Sequence, residues 1–326
     1  MTARPRSPSM LKPPRLQKGD VVGIVAPSSP PPDPKAIDRI LGQVERLGFK
    51  PKLGRHVRAR CGFLAGGDRE RAGDVMAMFQ DRTVKGIMCV RGGYGAARLL
   101  DRLDYSSIRG NAKVFAGYSD ITSLHAALLV KAGLVTFHAP MLNEGFGAQK
   151  CPVFSIDSFL RSTCSADAPG GICGGYEDSN TIRVLRRGVA EGRLIGGNLS
   201  VLVTTVGTSY QPSFRNRILF LEDIGEQPYR LDRMLTHLLN AGLLQQVAGV
   251  AVGVNRHCED AGASKRREYR QSSAEVFRDR LGRLGVPVVT GLPFGHQPAN
   301  ATIPVGVKAR LDANKADLMI VEAAVV

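Results

Sequence analysis

A serine in a tight turn, an acid and a histidine, each just past an apolar run, are the residues of this sequence best suited to chemistry. In Val114-Phe115-Ala116-Gly117-Tyr118-Ser119-Asp120-Ile121-Thr122 an apolar strand meets a helix through one turn that carries Ser119. Such a turn lifts a hydroxyl above a sheet and leaves the N–H of the next residue, Asp120, able to stabilise an oxyanion. The usual elbow has glycine two residues after the serine, whereas Ile121 stands here. On this segment alone Ser119 reads first as a helix N-cap, as most serines between strand and helix do.

Two further places follow apolar runs in the second half, Phe220-Leu221-Glu222-Asp223 and Phe294-Gly295-His296-Gln297. A serine hydroxyl needs a base to take its proton, and an imidazole base needs a carboxylate to fix its tautomer and stabilise its cation. Ser119, His296 and Glu222 fill those roles, and the chain order serine, acid, histidine is that of the α/β-hydrolases. Singly, each has a plainer reading: Glu222 as a surface acid paired with Arg230 or Arg233, His296 as a loop histidine bonded to a carbonyl. His125 and His138 compete as the base, but His125 falls inside a helical stretch, where it would pack, and His138 ends a strand, where it would line the crevice. The run Val90-Arg91-Gly92-Gly93-Tyr94-Gly95 also follows a strand. Its glycines let backbone approach a ligand, to cradle phosphate or give a second oxyanion N–H, though it is neither a Walker loop nor a dinucleotide fingerprint.

The elements that must position these residues alternate. Strands are expected at Val21 to Ala26, Gly86 to Val90, Val114 to Ala116 and Val135 to His138, and helices from Asp33 to Leu47, Asp68 to Phe79, Ala96 to Leu103 and Ile121 to Ala132. Alternation of this kind predicts a parallel sheet covered by helices, with the ligand crevice at the C-terminal strand ends. From about Gln149 to Asn180 the periodicity is lost among Ser, Gly, Asp and Pro, as in a domain connection. The second half then mixes strands (Thr181 to Leu185, Arg193 to Ile195, Ile218 to Leu221, Val247 to Val254, and short ones at Val288, Ile303, Ala309 and Leu318) with helices (Leu199 to Val206, Leu231 to Asn240, Ser273 to Leu284). The expected division is a disordered basic leader 1–17, a nucleophile domain 18–150, a linker 151–180 and a domain 181–326 carrying the acid and base.

Composition excludes several classes. The chain has 326 residues, 43% hydrophobic and 22% charged, with no apolar run long enough to cross a bilayer. The first 18 residues hold Arg4, Arg6, Lys12, Arg15 and Lys18 without the apolar core of a signal peptide, and Met10 could serve as the start. A cytoplasmic location is expected. The formal net charge of +15 invites a nucleic-acid reading. Five of those charges lie in the first 18 residues, however, and the Lys265 to Arg283 cluster is interleaved with acids, so no nucleic-acid or membrane partner is expected. The excess would instead draw small anionic substrates. The six cysteines form no C-x-x-C pair, consistent with reduced thiols, and no histidine or fourth cysteine near Cys151, Cys164 and Cys173 completes a zinc set.

Taken together these runs resemble the LD-carboxypeptidase family of serine peptidases, which includes murein tetrapeptide carboxypeptidases and microcin C immunity peptidases. The likeness spans about Lys18 to Asp312: Gly19 to Pro27, Arg91-Gly92-Gly93-Tyr94-Gly95, Gly117-Tyr118-Ser119-Asp120, Gly196-Gly197-Asn198-Leu199-Ser200, Leu221-Glu222-Asp223 with Pro228 to Arg233, and Gly295-His296 with Asn300 and Pro304 to Val307. The resemblance implies Ser119, Glu222 and His296 as the triad and the N–H groups of Gly93 and Asp120 as the oxyanion site. It also implies an α/β fold, with a flavodoxin-like parallel-sheet N-terminal domain and a smaller mixed α/β C-terminal domain, and usually a homodimer. No metal or cofactor is expected. The implied reaction is hydrolysis of the bond between an L-centre and a terminal D-amino acid in a murein tetrapeptide. Arg91, Arg230 and Arg233 are candidates for the terminal carboxylate and Tyr94 for substrate contact. The alternatives are a microcin-immunity-type peptidase acting on aminoacyl-nucleotides, for which the chain offers no Trp as a base platform, and a non-catalytic peptide-binding protein on the same scaffold.

Overall fold

The computed structural model describes residues 9–33, 35–147, 151–259 and 271–326. The apolar runs of the first half form a parallel sheet: β1 Val21–Val25, β2 Lys50–Leu53, β3 Val84–Cys89, β4 Val114–Gly117 and β5 Thr136–His138. Their order, β2-β1-β3-β4-β5, is the flavodoxin-like one, and helices α1 Ala36–Arg46, α2 Asp68–Gln80, α3 Tyr105–Gly110 and α4 Thr122–Ala127 connect them. The central strands are buried on both faces, which is why they read as unbroken apolar runs.

After α5 Val153–Cys164 comes an eight-stranded sheet built from β6 Gly170–Gly171, β7 Arg183–Arg186, β8 Val189–Asn198, β9 Arg217–Glu222, β10 Gly249–Val254, β11 Val288–Gly295, β13 Lys308–Asp312 and β14 Asp317–Ile320. Its centre, β8-β9-β10-β11, is parallel, with antiparallel strands on either side. Helices α6 Leu199–Leu202, α7 Pro228–Asn240 and α8 Ser273–Leu281 accompany it. The remaining strand, β12 Ile303–Val305, crosses back and pairs antiparallel with β5, so the second half closes one edge of the first half's sheet.

The expected leader is corrected for residues 9–17; residues 1–8 lie outside the described ones. The Leu11 N–H bonds to Gly133 O, Arg15 N–H to Val326 O and Leu16 N–H to Thr163 O, each at 2.8 Å. Leu16 is buried in the main core. Burial of one leucine favours this docking by about 2 kcal/mol, and the backbone bonds satisfy what the prolines leave. The expected linker is corrected too. Residues 153–164 are a three-turn helix that Pro152 precedes, and its inward face carries Ser155, Ser158, Phe159, Ser162 and Thr163. Residues 96–102 form tight 3₁₀ turns in place of the expected α-helix. Part of the expected Lys265 to Arg283 cluster, residues 265–270, lies outside the described residues.

Candidate active site

Ser119 follows β4 directly. Its backbone sits at φ 63°, a left-handed conformation that a non-glycine residue adopts only where surrounding structure imposes it. Tyr118 before it is extended, and the chain then enters a 3₁₀ turn and α4. Ser119 is therefore not an N-cap of ordinary geometry, and the elbow forms with Ile121 in place of the second glycine.

The turn is held by buried charge. The Asp120 carboxylate accepts from Ser28 Oγ at 2.6 Å and from Ala96 N–H at 2.8 Å, tying the elbow to the loop after β1 and to the glycine loop. Burial raises its pKa, against those two bonds and the charge of Arg71. Arg71, itself 1% exposed, donates to the carbonyls of Pro27, Gly66 and Gly95 and pairs with Asp68. One guanidinium thus joins three loops around the turn.

The glycine loop meets the serine at Gly92. A Cβ there would lie 3.0 Å from Ser119 Oγ and 3.4 Å from Asp120 N, so only glycine leaves room above the hydroxyl. Gly93, the expected oxyanion partner, backs onto Ser29, whose hydroxyl accepts from the Tyr94 N–H at 3.2 Å.

The acid and base come from the C-terminal ends of parallel strands in the second sheet. Glu222 is the last residue of β9 and is fully buried, and its Oε2 lies 2.6 Å from His296 Nδ1. Burial works to raise the Glu222 pKa, but the charge and hydrogen bond of His296 override it and hold the carboxyl below its ordinary value. For His296 burial works downward and the charge and hydrogen bond of Glu222 more than offset it, so its pKa is raised. Asp223 next door is pushed up to about 6 by burial and by the Glu222 charge. It accepts from Asn198 Nδ2 at 3.1 Å, Ser200 N–H at 2.8 Å and Ile224 N–H at 2.8 Å.

The loop bearing His296 is fixed at both ends. Asn300 Oδ1 accepts from Gly295 N–H at 3.0 Å. Ser155 Oγ donates to Pro298 O and accepts from Asn300 N–H, while Ser158 Oγ accepts from Thr302 N–H at 2.9 Å. The two halves meet across the site. Thr122 Oγ1 accepts from Asn198 N–H at 3.0 Å, and a Cβ on Gly197 would collide with Thr122. The Tyr118 ring lies 4.7 Å from the His296 imidazole, centroid to centroid. The residue before Ser119 thus packs on His296, and among the described residues Ser119 Oγ makes no hydrogen bond to the imidazole. Such contacts commonly tighten only when substrate is bound.

The other expected residues divide. Arg91 pairs with Glu144 at 3.1 Å, which leaves it partly committed. Tyr94 is exposed and packs edge-on against Phe63. Arg230 and Arg233 flank the ring of Tyr229 on the surface of α7, and Arg230 pairs with Glu226. His125 packs as expected, but His138 does not line an open crevice; it is wholly buried. Sequence reasoning missed Arg256, two residues past β10 and so between the loops of Glu222 and His296. It is exposed, its charge acts on the Tyr118 hydroxyl, and it forms no ion pair among the described residues. A groove of about 910 Å³ also passes Pro298 and Ala299, lined by Phe154 and Tyr176 and by the acids Asp157, Glu177 and Asp178. Among the described residues no group of three metal-ligating side chains converges, and no helix is long and apolar enough to cross a membrane.

Comparison with known proteins agrees with this architecture. The LD-carboxypeptidase N-terminal domain matches residues 22–139 and the LD-carboxypeptidase C-terminal domain residues 191–311. A probable murein peptide carboxypeptidase of Bacillus subtilis is 39% identical over 92% of this chain and 91% of its own. Microcin C7 self-immunity protein MccF in complex with aspartyl sulfamoyl adenosine superposes with a TM-score of 0.85 at 27% identity, covering 97% of this chain and 100% of that one. Muramoyltetrapeptide carboxypeptidase from Oxalobacter formigenes gives 0.78 at 30% identity over 92% and 97%. The fold is that of an α/β peptidase of two sheets. The chain belongs to the LD-carboxypeptidase family.

Proposed function

We propose that the protein is a serine carboxypeptidase that removes the terminal D-amino acid from murein tetrapeptides. The observation that carries this reading is the buried Glu222–His296 pair packed on Tyr118, next to a serine in strained left-handed backbone. His296, its Nδ1–H held by Glu222, takes the Ser119 proton at Nε2 as Oγ attacks the carbonyl of the L-centre. The N–H groups of Gly93 and Asp120 receive the oxyanion. His296 then passes the proton to the amine of the departing D-amino acid, and water, deprotonated by the same imidazole, releases the acyl group. Asp223 is not the acid of the pair: its oxygens already accept from Asn198, Ser200 and Ile224.

A carboxypeptidase must bind a free carboxylate, and Arg256 is the guanidinium best placed for it, with Arg91 second because Glu144 competes. The acids of the adjoining groove suit the side-chain ammonium of a diamino acid at the L-centre. A cytoplasmic homodimer completes the proposal. The likeness to MccF supports a second reading, cleavage of aminoacyl-nucleotide conjugates, for which Phe154 and Tyr176, 5.7 Å apart, offer an aromatic surface in place of Trp.

The test is incubation with murein tetrapeptide and detection of free D-alanine by mass spectrometry. Wild type should release it, and Ser119→Ala should lose at least about 1,000-fold in kcat. Equal release by both would overturn the nucleophile, and turnover of an aminoacyl-sulfamoyl adenosine without turnover of tetrapeptide would establish the second reading instead.

A further inference from the structure

His138 closes β5 beneath the site, with its backbone fixed between Gly117 of β4 and Ile303 of β12. Its ring packs edge-on against Tyr118 at 5.8 Å, Phe220 at 5.4 Å and Phe294 at 6.5 Å. These neighbours define where it lies relative to the acid and base. Tyr118 covers His296, Phe220 shares one face of β9 with Glu222, and Phe294 precedes the His296 loop. The imidazole is wholly buried, yet among the described residues neither of its nitrogens has a hydrogen-bond partner. Glu222 Oε1, also buried, has none within hydrogen-bond distance there, although the Asn198 side chain helps His296 to lower the Glu222 pKa, and Oε2 holds His296.

Two imidazole nitrogens and one carboxylate oxygen buried together without a protein partner among the described residues call for one, since each bare group leaves a penalty that a partner would remove. His125, in the same layer with its ring 6.5 Å away, shows the contrast. Its Nδ1 meets Thr136 Oγ1 at 2.9 Å and its Nε2 meets Gly117 O at 2.8 Å. The titratable groups facing His138 are therefore Glu222 from β9, His296 from the loop after β11, His125 from α4 and Tyr118 from the elbow. Burial lowers the His138 pKa to about 4, against the attraction of Glu222 and with the repulsion of His296. A neutral imidazole always keeps one N–H to donate.

We infer that His138 is a positioning residue of this peptidase, whose N–H serves Glu222 Oε1 through one buried water and so fixes the carboxylate that orients His296. The inference rests on Glu222 and His296 being the acid and base. No direct bond joins the two groups, and a water with partners on both sides is the ordinary way for such a gap to be satisfied. The arrangement explains why a histidine stands where an apolar residue would pack among Tyr118, Phe220 and Phe294. An apolar side chain would take this donor away from Oε1.

The test compares His138→Gln, which keeps an N–H donor, with His138→Phe, which keeps bulk and loses it. Labelling of Ser119 by a fluorophosphonate across pH reads nucleophile activation without depending on the peptide substrate. The Phe variant should label about 10- to 100-fold more slowly, as loss of a hydrogen bond to a charged group would give, and its acid limb should move to higher pH. The Gln variant should stay within about threefold of wild type and keep the wild-type limb. Wild-type rate and limb in the Phe variant would overturn the inference, as would equal slowing in both variants with unchanged thermal melting, which would mark a packing role only. Should the Phe variant fail to fold, nitrogen-15 NMR of wild-type histidines decides: His138 should hold a single exchange-protected N–H from pH 5 to 8, and titration above pH 6 would overturn the inference. A wild type that labels at Ser119 but spares tetrapeptide would refute the substrate reading alone. A wild type that does not label would refute both.

Discussion

The serine side and the histidine side of the site are fixed by opposite means. Ser119 sits in a turn shaped by groups that all belong to the first half: strained backbone, an adjoining carboxylate that bonds two other loops, and Arg71 beneath them. His296 sits on a crossing segment and takes its hold from Glu222 at the end of β9 and from α5, while β12 just after it pairs with the first sheet. The bonds that shape the nucleophile turn thus come from the first half, whereas the base is held by β9 and α5. Buried charge holds the turn of Ser119, whereas the loop after His296, the Glu222 contact aside, is held by neutral hydrogen bonds that are individually weak.

Replacement of Arg71 tests the stronger side. Arg71→Met leaves the carbonyls of Pro27, Gly66 and Gly95 without their donor and should cost about 3 kcal/mol or more in urea unfolding. A loss under about 1 kcal/mol would mean that the loops hold without the guanidinium. Gly92→Ala sets a methyl group 2.9 Å from Ser119 Cβ, so stability should fall by about 1 to 3 kcal/mol and kcat on the proposed substrate by about 100-fold. Activity close to wild type would show that the glycine loop stands clear of the reacting carbonyl.

Much of the serine side was legible in the sequence because its parts are contiguous: an apolar strand, a turn and a glycine loop after another strand. Glu222 and His296 were legible as strand-end residues that could complete a set with Ser119, but with 74 residues between them plainer readings stood beside that one until the resemblance was added. Helix α5 escaped notice because its buried face is made of serines and a threonine rather than of Leu or Ile, so it reads as loop composition. Strand β2, Lys50–Leu53, alternates exposed and half-buried residues at a sheet edge and gives no apolar run. Residues 9–17 look disordered by their prolines and basic charge, and only Leu11 and Leu16 hint at the docking. The Arg71 clamp and the bare nitrogens of His138 have no signal in sequence at all, because both are properties of what surrounds them.

The weaker side of the comparison is tested by Ser155, which bonds two groups in the His296 loop from α5. Ser155→Ala should cost about 1 to 2 kcal/mol and lower kcat by less than about 10-fold, with KM little changed.

The smallest effect expected is on proton affinity. The His296 pKa is raised by Glu222, and a base must be neutral to accept a proton, so kcat/KM should climb with pH through a midpoint above the ordinary 6.5. The same shift fixes the sign for stability. A histidine whose folded pKa exceeds its unfolded one stabilises the fold fully below the unfolded pKa, and that contribution fades as pH rises through the folded value. If Ser155 only steadies the loop, Ser155→Ala will keep the acid limb of wild type. If instead the loop loses its register, Glu222 and His296 separate and the limb slides down toward 6.5, which would mean that the hold on the base extends from α5 to its proton.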